Sequence, residues 1–419
     1  MTLDQCVSLV HPISNPFSRN AAIALAQANL LYEIITTVTY NPNKLIAKTL
    51  QRLPENLRIR ISQELERRIW IPPEGVSIRM YPYQEMLRIF LVKTGLSALF
   101  CLNYQQLFDW VCLSIDKEVS QWHLANIQGI YSYEDSAALT FKAAKSRGIR
   151  CFYDLPIPFY RMSQRIQAEE AELFPELKVA LQAIQEPSWK LERKEQEIEL
   201  SDHIFVASSF TQKSLLEIGV ASNKISIIPY GSPIEYFQPE PKSDAVFRVL
   251  FVGRVGPRKG VHYLLQAWKE LKLPEAELLL LGINEFPNGW LSSYESQFTY
   301  IAPVPHHSLS SYYNQASVLV FPSLVEGFGL VLLEAMACGI PVITTPNTGG
   351  PDMITDGVEG FIIPIRDVEA LKEKLDWCYT HPEELKQMQK AAFCKAHCLT
   401  WEKYRQKLAC QIQKILKSH

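Results

Sequence analysis

Two glutamates with seven residues between them, Glu326 and Glu334, lie in the stretch Pro322–Pro341, PSLVEGFGLVLLEAMACGIP. A Gly-Phe-Gly turn follows the first, and an apolar, helix-like run holds the second. Just upstream, Ser317–Phe321 (SVLVF) has the β-branched, apolar composition of a buried parallel strand. The unit therefore reads strand, sharp glycine turn, helix. The first N–H groups of a helix have no partner inside it, so a helix starting at Gly327–Leu330 points free donors at whatever sits above the sheet. An anion belongs there. Carboxylates repel phosphate but accept hydrogen bonds well from hydroxyls. An anion carrying sugars on either side, a nucleotide sugar, meets both demands.

A second constellation precedes it. Phe251–Gly260 (FVGRVGPRKG) follows another apolar strand and carries Arg254 and Lys259 between three glycines, Gly253, Gly256 and Gly260. Glycine lets backbone turn tightly and approach a ligand closely. Arginine offers a planar fork for two phosphate oxygens, and lysine a mobile point charge. Cations placed beforehand favour the charge that builds on a departing diphosphate. Both constellations follow strands directly, so both fall on the carboxyl edge of one parallel sheet, where ligands of such sheets bind.

These two motifs, in this order, resemble the retaining GT-B glycosyltransferases of family 4, the glycosyl transferases group 1. The glutamate pair E326-GFGLVLL-E334 matches that family's Glu-x7-Glu signature, and the resemblance spans about residues 202–400. It implies an α/β protein of two Rossmann-like doubly wound domains facing a cleft, with a C-terminal helix crossing back to the first. It implies transfer of a hexose from a nucleotide-diphosphate sugar, UDP being the expected nucleotide, to an acceptor hydroxyl with retention. Carried over residue by residue, Glu326 lies beside the donor sugar and Glu334 accepts from the ribose. Arg254 and Lys259 hold the donor phosphates beside Gly253. Gly327, Phe328, Gly329 and Leu330 bring backbone to the diphosphate, and Val304, in Ala302-Pro303-Val304, lies near the base. Asp154, closing Cys151-Phe152-Tyr153-Asp154-Leu155-Pro156, takes the place where many members carry a histidine. There it could bind a sugar hydroxyl, steady positive charge at the anomeric carbon, or be a turn residue. The opening loop, Ser14–Asn20, lacks the glycine pair that the family carries there. No Asp-x-Asp occurs in the chain, which fits leaving-group stabilisation by Arg254 and Lys259 with no metal and no other cofactor. The competing readings are a non-catalytic module that binds a nucleotide sugar or a partner, and an epimerase of nucleotide sugars.

The rest of the chain frames these elements. Its 419 residues allow two or three domains, and 47% hydrophobic residues is ordinary for a globular protein. A net charge of −2 gives no sign of a nucleic-acid partner. The nine cysteines are scattered without a C-x-x-C pair and read as reduced core thiols of a cytoplasmic protein. Cys394-Lys-Ala-His397-Cys398 has no second ligand pair, so no metal is expected there. The N-terminus lacks a signal-peptide pattern, and Asn103, Gln105, Gln106 and Asp109 interrupt the most apolar long window, Gly95–Ile115.

Strands are expected at Phe247–Val252, Glu277–Leu281, Phe298–Ile301, Ser317–Phe321, Pro341–Thr344 and Gly360–Ile363. In the first half they are expected at Gln5–Val10, Glu33–Thr39, Gly129–Ser132, Ile149–Tyr153 and His203–Val206, with a helix at Asn20–Leu31. Residues 158–200 read as helical, broken near Pro175 and Pro187. Asp135 is expected to cap a helix over Ser136–Ser146. The proline-rich stretch Pro229–Ser243 marks the boundary between an acceptor-side domain, 1–232, and a donor-side domain, 233–399, with residues 400–419 as the returning helix. Asn43–Ile69 interleaves Leu and Ile with basic residues; it reads as a solvated charged helix or as a peripheral surface for an anionic membrane. The acceptor (sugar, lipid or small molecule) is not specified by the residues.

Overall fold

The computed structural model describes residues 6–41, 55, 65, 68–99 and 102–418. Most of Asn43–Ile69 lies outside the described residues, and the amphipathic reading of that stretch with it. The chain forms two compact units. One comprises Met1–Leu155, Ser188–Phe205 and Arg405–His419; the other comprises Pro156–Pro187 and Val206–Tyr404.

The first sheet contains β1 (Val7–Val10), β2 (Leu31–Thr36), β3 (Ser77–Met80), β4 (Gly129–Tyr133), β5 (Arg150–Leu155), β6 (His203–Val206) and β7 (Ile225–Ile227), in the order β3-β2-β1-β4-β5-β6-β7. The pairings β1–β2, β1–β4, β2–β3 and β4–β5 are all parallel. The second sheet contains β8 (Phe247–Val252), β9 (Ala276–Leu281), β10 (Thr299–Ile301), β11 (Val318–Phe321), β12 (Val342–Thr344) and β13 (Gly360–Ile362). Its order is β10-β9-β8-β11-β12-β13, and every pairing is parallel. Both orders reverse direction beside their first strand, so the switch point lies between β1 and β4 in one sheet and between β8 and β11 in the other. The loops on either side of a switch point diverge, leaving a crevice at the carboxyl ends.

In the second sheet, β8 and β11 are buried along their whole length, as apolar central strands must be. Phe251 and Phe321 stack across them with centroids 6.1 Å apart. The helix Leu330–Ala337 buries six of its eight residues, Leu332 to Ala337. Leu332 and Leu333 are fully enclosed, each contributing about 1.5–3 kcal/mol by the usual burial scale. This helix is therefore fixed by core packing, which fixes where its N-terminus points.

Most expected elements are present within a residue or two, and the differences have physical causes. The first helix is Pro16–Gln27, not Asn20–Leu31. Asn15 accepts from the N–H of Ser18 at 2.8 Å while Ser18 Oγ accepts from the N–H of Asn15 at 3.2 Å. This capping box, with proline at the first helical position, starts the helix four residues early. Asp135 does not cap the helix after β4. That helix is Ala138–Lys145, with no capping side chain of its own. Its first turn is held from elsewhere: Glu197 accepts from the N–H of Asp135 and Ala137 at 3.0 and 2.9 Å, and Asp116 from those of Leu139 and Thr140 at 2.8 Å each. Asp135 instead adopts φ +71° and pairs with Lys190 at 3.0 Å.

The stretch around Pro229–Ser243 is not a free linker. Tyr230, Ser232 and Phe237 are buried, and the Ser232 N–H donates to the Leu399 carbonyl at 2.6 Å. The compact units exchange chain near residues 155, 187, 205 and 404, not at 232. The C-terminal helix runs Trp401–Lys417. Its residues from Arg405 group with the N-terminal strands, and Arg405 Nη1 donates to Asn20 Oδ1 at 2.9 Å. Among the described residues, no helix is long and apolar enough to cross a membrane.

Candidate active site

The switch point of the second sheet brings the two constellations together. From the carboxyl end of β8, Gly253–Gly260 runs through a short 3-10 turn, Pro257–Lys259, into the helix Val261–Leu271. Gly260 closes that turn at φ +68°, with the Pro322 carbonyl oxygen only 2.1 Å from where a Cβ would stand. The two loops thus touch at the root of the site. A second tether is the Leu324 N–H donating to the Arg258 carbonyl at 3.0 Å.

Lys259 and Glu326 form a direct ion pair. Lys259 is buried at 7% exposure, and its ammonium lies 4.7 Å from the centre of the Phe321 ring. Arg258 lies 3.5 Å from the same Glu326 oxygen and donates to the Val325 carbonyl at 2.9 Å. Burial pushes the Lys259 pKa well below the usual lysine range, and the Arg258 charge acts the same way. The Glu285 charge acts the other way, and the Glu326 carboxylate lies in direct contact with the ammonium. Arg254 is different: half-exposed, it pairs with Glu285 at the rim.

After Glu326 the chain turns through Gly327. A Cβ there would meet the Pro156 carbonyl oxygen at 1.8 Å, so glycine is demanded by close approach of backbone. The Gly327 carbonyl accepts from Ser208 Oγ at 2.5 Å and Thr211 Oγ1 at 3.3 Å. Phe328 is buried, Gly329 forms the helix N-cap at φ +89°, and Leu330 begins the helix. The N–H groups of Phe328, Gly329 and Leu330 take no partner among the described residues, which leaves three donors at one point for an anion.

One turn along, Glu334 is 5% exposed. Tyr313 donates to its Oε2 at 2.8 Å, and His306 Nε2 lies 2.8 Å from its Oε1. Val304 is half-buried in the loop after β10 that leads to His306. Sequence reasoning placed Glu334 here but found neither Tyr313 nor His306, because single residues at large sequence separation carry no spacing signal. It also missed the loop Thr344–Gly350. Glu326 N–H donates to the Asn347 carbonyl at 3.0 Å, Gly349 N–H to that of Phe328 at 2.8 Å, and Thr345 Oγ1 to that of Ser323 at 2.6 Å. That loop sets the position of the Glu326 turn from behind.

Asp154 belongs to the other compact unit, in β5. It is 3% exposed and accepts from the Tyr131 hydroxyl at 2.6 Å. Burial lifts its carboxyl from 3.8 to about 7, against the opposing hydrogen bonds of Tyr131 and Tyr133. The folded state therefore holds this proton across pH 4–7 while the unfolded chain has lost it. Stability present below the unfolded pKa is lost as pH rises through that window. Asp154→Asn is expected to flatten that dependence, gaining about 4 kcal/mol over the parent at pH 8 and little at pH 4. Urea unfolding at the two pH values checks it; equal slopes with pH in both proteins would refute it.

In the same unit the glycine-free opening loop leaves β1 through His11, which is 7% exposed. Burial lowers the His11 pKa to about 3, so its ring is neutral, and Nε2 lies 3.0 Å from Asn15 Nδ2.

Residues 234–394 match the family model described as glycosyl transferases group 1. Over its whole length the chain is similar to the structure of sucrose-phosphate synthase from Thermosynechococcus elongatus, with a TM-score of 0.65 at 19% identity, covering 99% of this chain and 98% of that one. The fold is GT-B.

A second GT-B neighbour is the Anabaena protein HepE in complex with UDP-glucose, with a TM-score of 0.62 at 14% identity, covering 97% of this chain and 99% of that one. In sequence the chain is similar to the D-inositol 3-phosphate glycosyltransferase of Kribbella flavida. They are 28% identical over 246 residues, 52% of this chain and 58% of that one. The chain spans about half the length of the curated relatives it matches.

Proposed function

We propose that the protein is a retaining hexosyltransferase that moves a sugar from a nucleotide diphosphate, UDP-linked, to an acceptor hydroxyl without a metal ion. The observation that carries this reading is the arrangement at the β8–β11 switch point. Lys259, from the loop after β8, pairs with Glu326, and three unpartnered N–H groups at Phe328–Leu330 and the Glu334 carboxylate follow on successive turns after β11. A diphosphate seated on those N–H groups would meet Lys259 on one side, and its sugars would meet Glu326 and Glu334. Lys259, already desolvated, then stabilises the charge that grows on the leaving diphosphate. Glu326 accepts from hydroxyls of the transferred sugar. Gly253 and the half-exposed Arg254 complete the phosphate side of the loop. HepE, in complex with UDP-glucose, and the group 1 family match support a nucleotide-sugar donor.

Calorimetric titration with UDP, GDP, ADP and dTDP tests the donor site. One nucleotide is expected to bind selectively, and Glu334→Gln to weaken it at least tenfold, the scale of a lost hydrogen bond to a charged group. Absence of binding to all four would overturn the reading.

A further inference from the structure

The nucleotide-sugar reading gives Glu334 a ligand but leaves open why its carboxylate is held as it is. Glu334 projects from a helix whose other buried residues, Leu332 to Ala337, are apolar. A carboxylate in such surroundings needs donors. It has two: the Tyr313 hydroxyl on Oε2 and the His306 ring on Oε1, both at 2.8 Å, and no other side-chain partner among the described residues. Each oxygen carries two lone pairs, so each keeps one open.

Both donors are themselves fixed. Tyr313 is fully buried, and Phe237, also fully buried, meets the Tyr313 ring edge-on at 5.6 Å and the His306 ring at 5.3 Å. Burial and the Glu334 charge push the Tyr313 hydroxyl pKa well above its usual range, so it donates at every working pH. An ionised carboxylate only accepts, so His306 presents Nε2–H to it. The His306 side chain is otherwise 56% exposed.

We propose, resting on the nucleotide-sugar reading, that Tyr313 and His306 are positioning residues. They orient the Glu334 carboxylate so that its two open lone pairs face one vicinal diol, the 2′ and 3′ hydroxyls of a ribose. Two donors on two different oxygens fix the rotation of the carboxylate plane, which a single donor would leave free. The site thereby selects ribonucleoside over 2′-deoxyribonucleoside diphosphates.

Calorimetry with UDP, GDP and ADP, each against its 2′-deoxy form, tests this on the wild type, Tyr313→Phe and His306→Ala. The wild type is expected to prefer the ribonucleotide by about tenfold to a hundredfold. In both variants that ratio is expected to collapse towards one, with the 2′-deoxy affinity unchanged within about twofold. A variant that loses affinity equally for both forms, or for neither, overturns the positioning role while leaving the donor site standing. Failure of the wild type to bind any ribonucleotide removes the donor-site reading and this inference with it. His306→Ala alters a half-exposed side chain, so it reports even if Tyr313→Phe folds poorly.

Discussion

Glu326→Gln is expected to abolish most transfer at neutral pH and to regain part of it as the pH falls. The reason lies in Lys259. Its ammonium is buried and pairs directly with Glu326, whose carboxylate also lies near Arg258. Removing one partner of a buried pair leaves the other uncompensated, at a cost of about 3–5 kcal/mol. The lysine escapes that cost by losing its proton. Its folded pKa already tends well below the usual lysine range, and once a neutral amide replaces the Glu326 carboxylate nothing in contact holds it up. Above that lowered pKa the loop presents a neutral amine to the diphosphate; below it the cation returns. Lys259→Met is expected to lose about a hundred- to a thousandfold in kcat, the scale of one removed electrostatic stabiliser, with no recovery at low pH. The two rate–pH profiles are the check. A Glu326→Gln profile parallel to that of Lys259→Met would mean that the glutamate acts only on the sugar. Wild-type turnover in both variants would overturn the mechanism.

Gly260→Ala is expected to be among the most damaging single-methyl changes in the described residues. Gly260 sits at φ +68°, and its would-be Cβ stands 2.1 Å from the Pro322 carbonyl oxygen. Two penalties combine: a left-handed conformation for a residue with a side chain, and a collision with backbone that cannot rotate away. Relief requires the loop after β8 to separate from the loop after β11, which pulls Lys259 from Glu326. A loss beyond about 4 kcal/mol is expected, in the range reserved for backbone strain and broken buried networks. Chemical denaturation measures the stability, and nucleotide titration of the surviving folded fraction measures the site. A variant within about 1 kcal/mol of the parent would show that the two loops separate freely.

The second sheet was legible in the sequence because its strands are short, apolar and regularly spaced. β8 was read to the residue, and β11 and β12 to within one. The site residues on it were legible because each follows a strand directly. β3 and β7 were not. Ser77–Met80 is an edge strand with mostly exposed side chains, and Ile225–Ile227 buries only its first residue, so neither shows the buried run on which strand reading depends. The capping of the helix after β4 was misread for a different reason. Asp135 had the right chemistry at the right place, but Asp116 and Glu197, distant in sequence, satisfy those N–H groups. Tyr313 and His306 escaped notice in the same way: local pattern finds elements, while partners across the fold are visible only once it is built.

The four exchanges of chain between the compact units bear on how the polypeptide is made. Neither unit is a contiguous segment. The N-terminal one takes up residues 188–205 and then waits for Arg405 onward, whose Leu408 and Ile412 are fully buried. A ribosome delivers those residues after the second unit's long segment, Val206–Tyr404, so the first unit can be completed only after nearly all of the other has emerged. Its early apolar strands therefore wait for their final cover until the other unit has emerged.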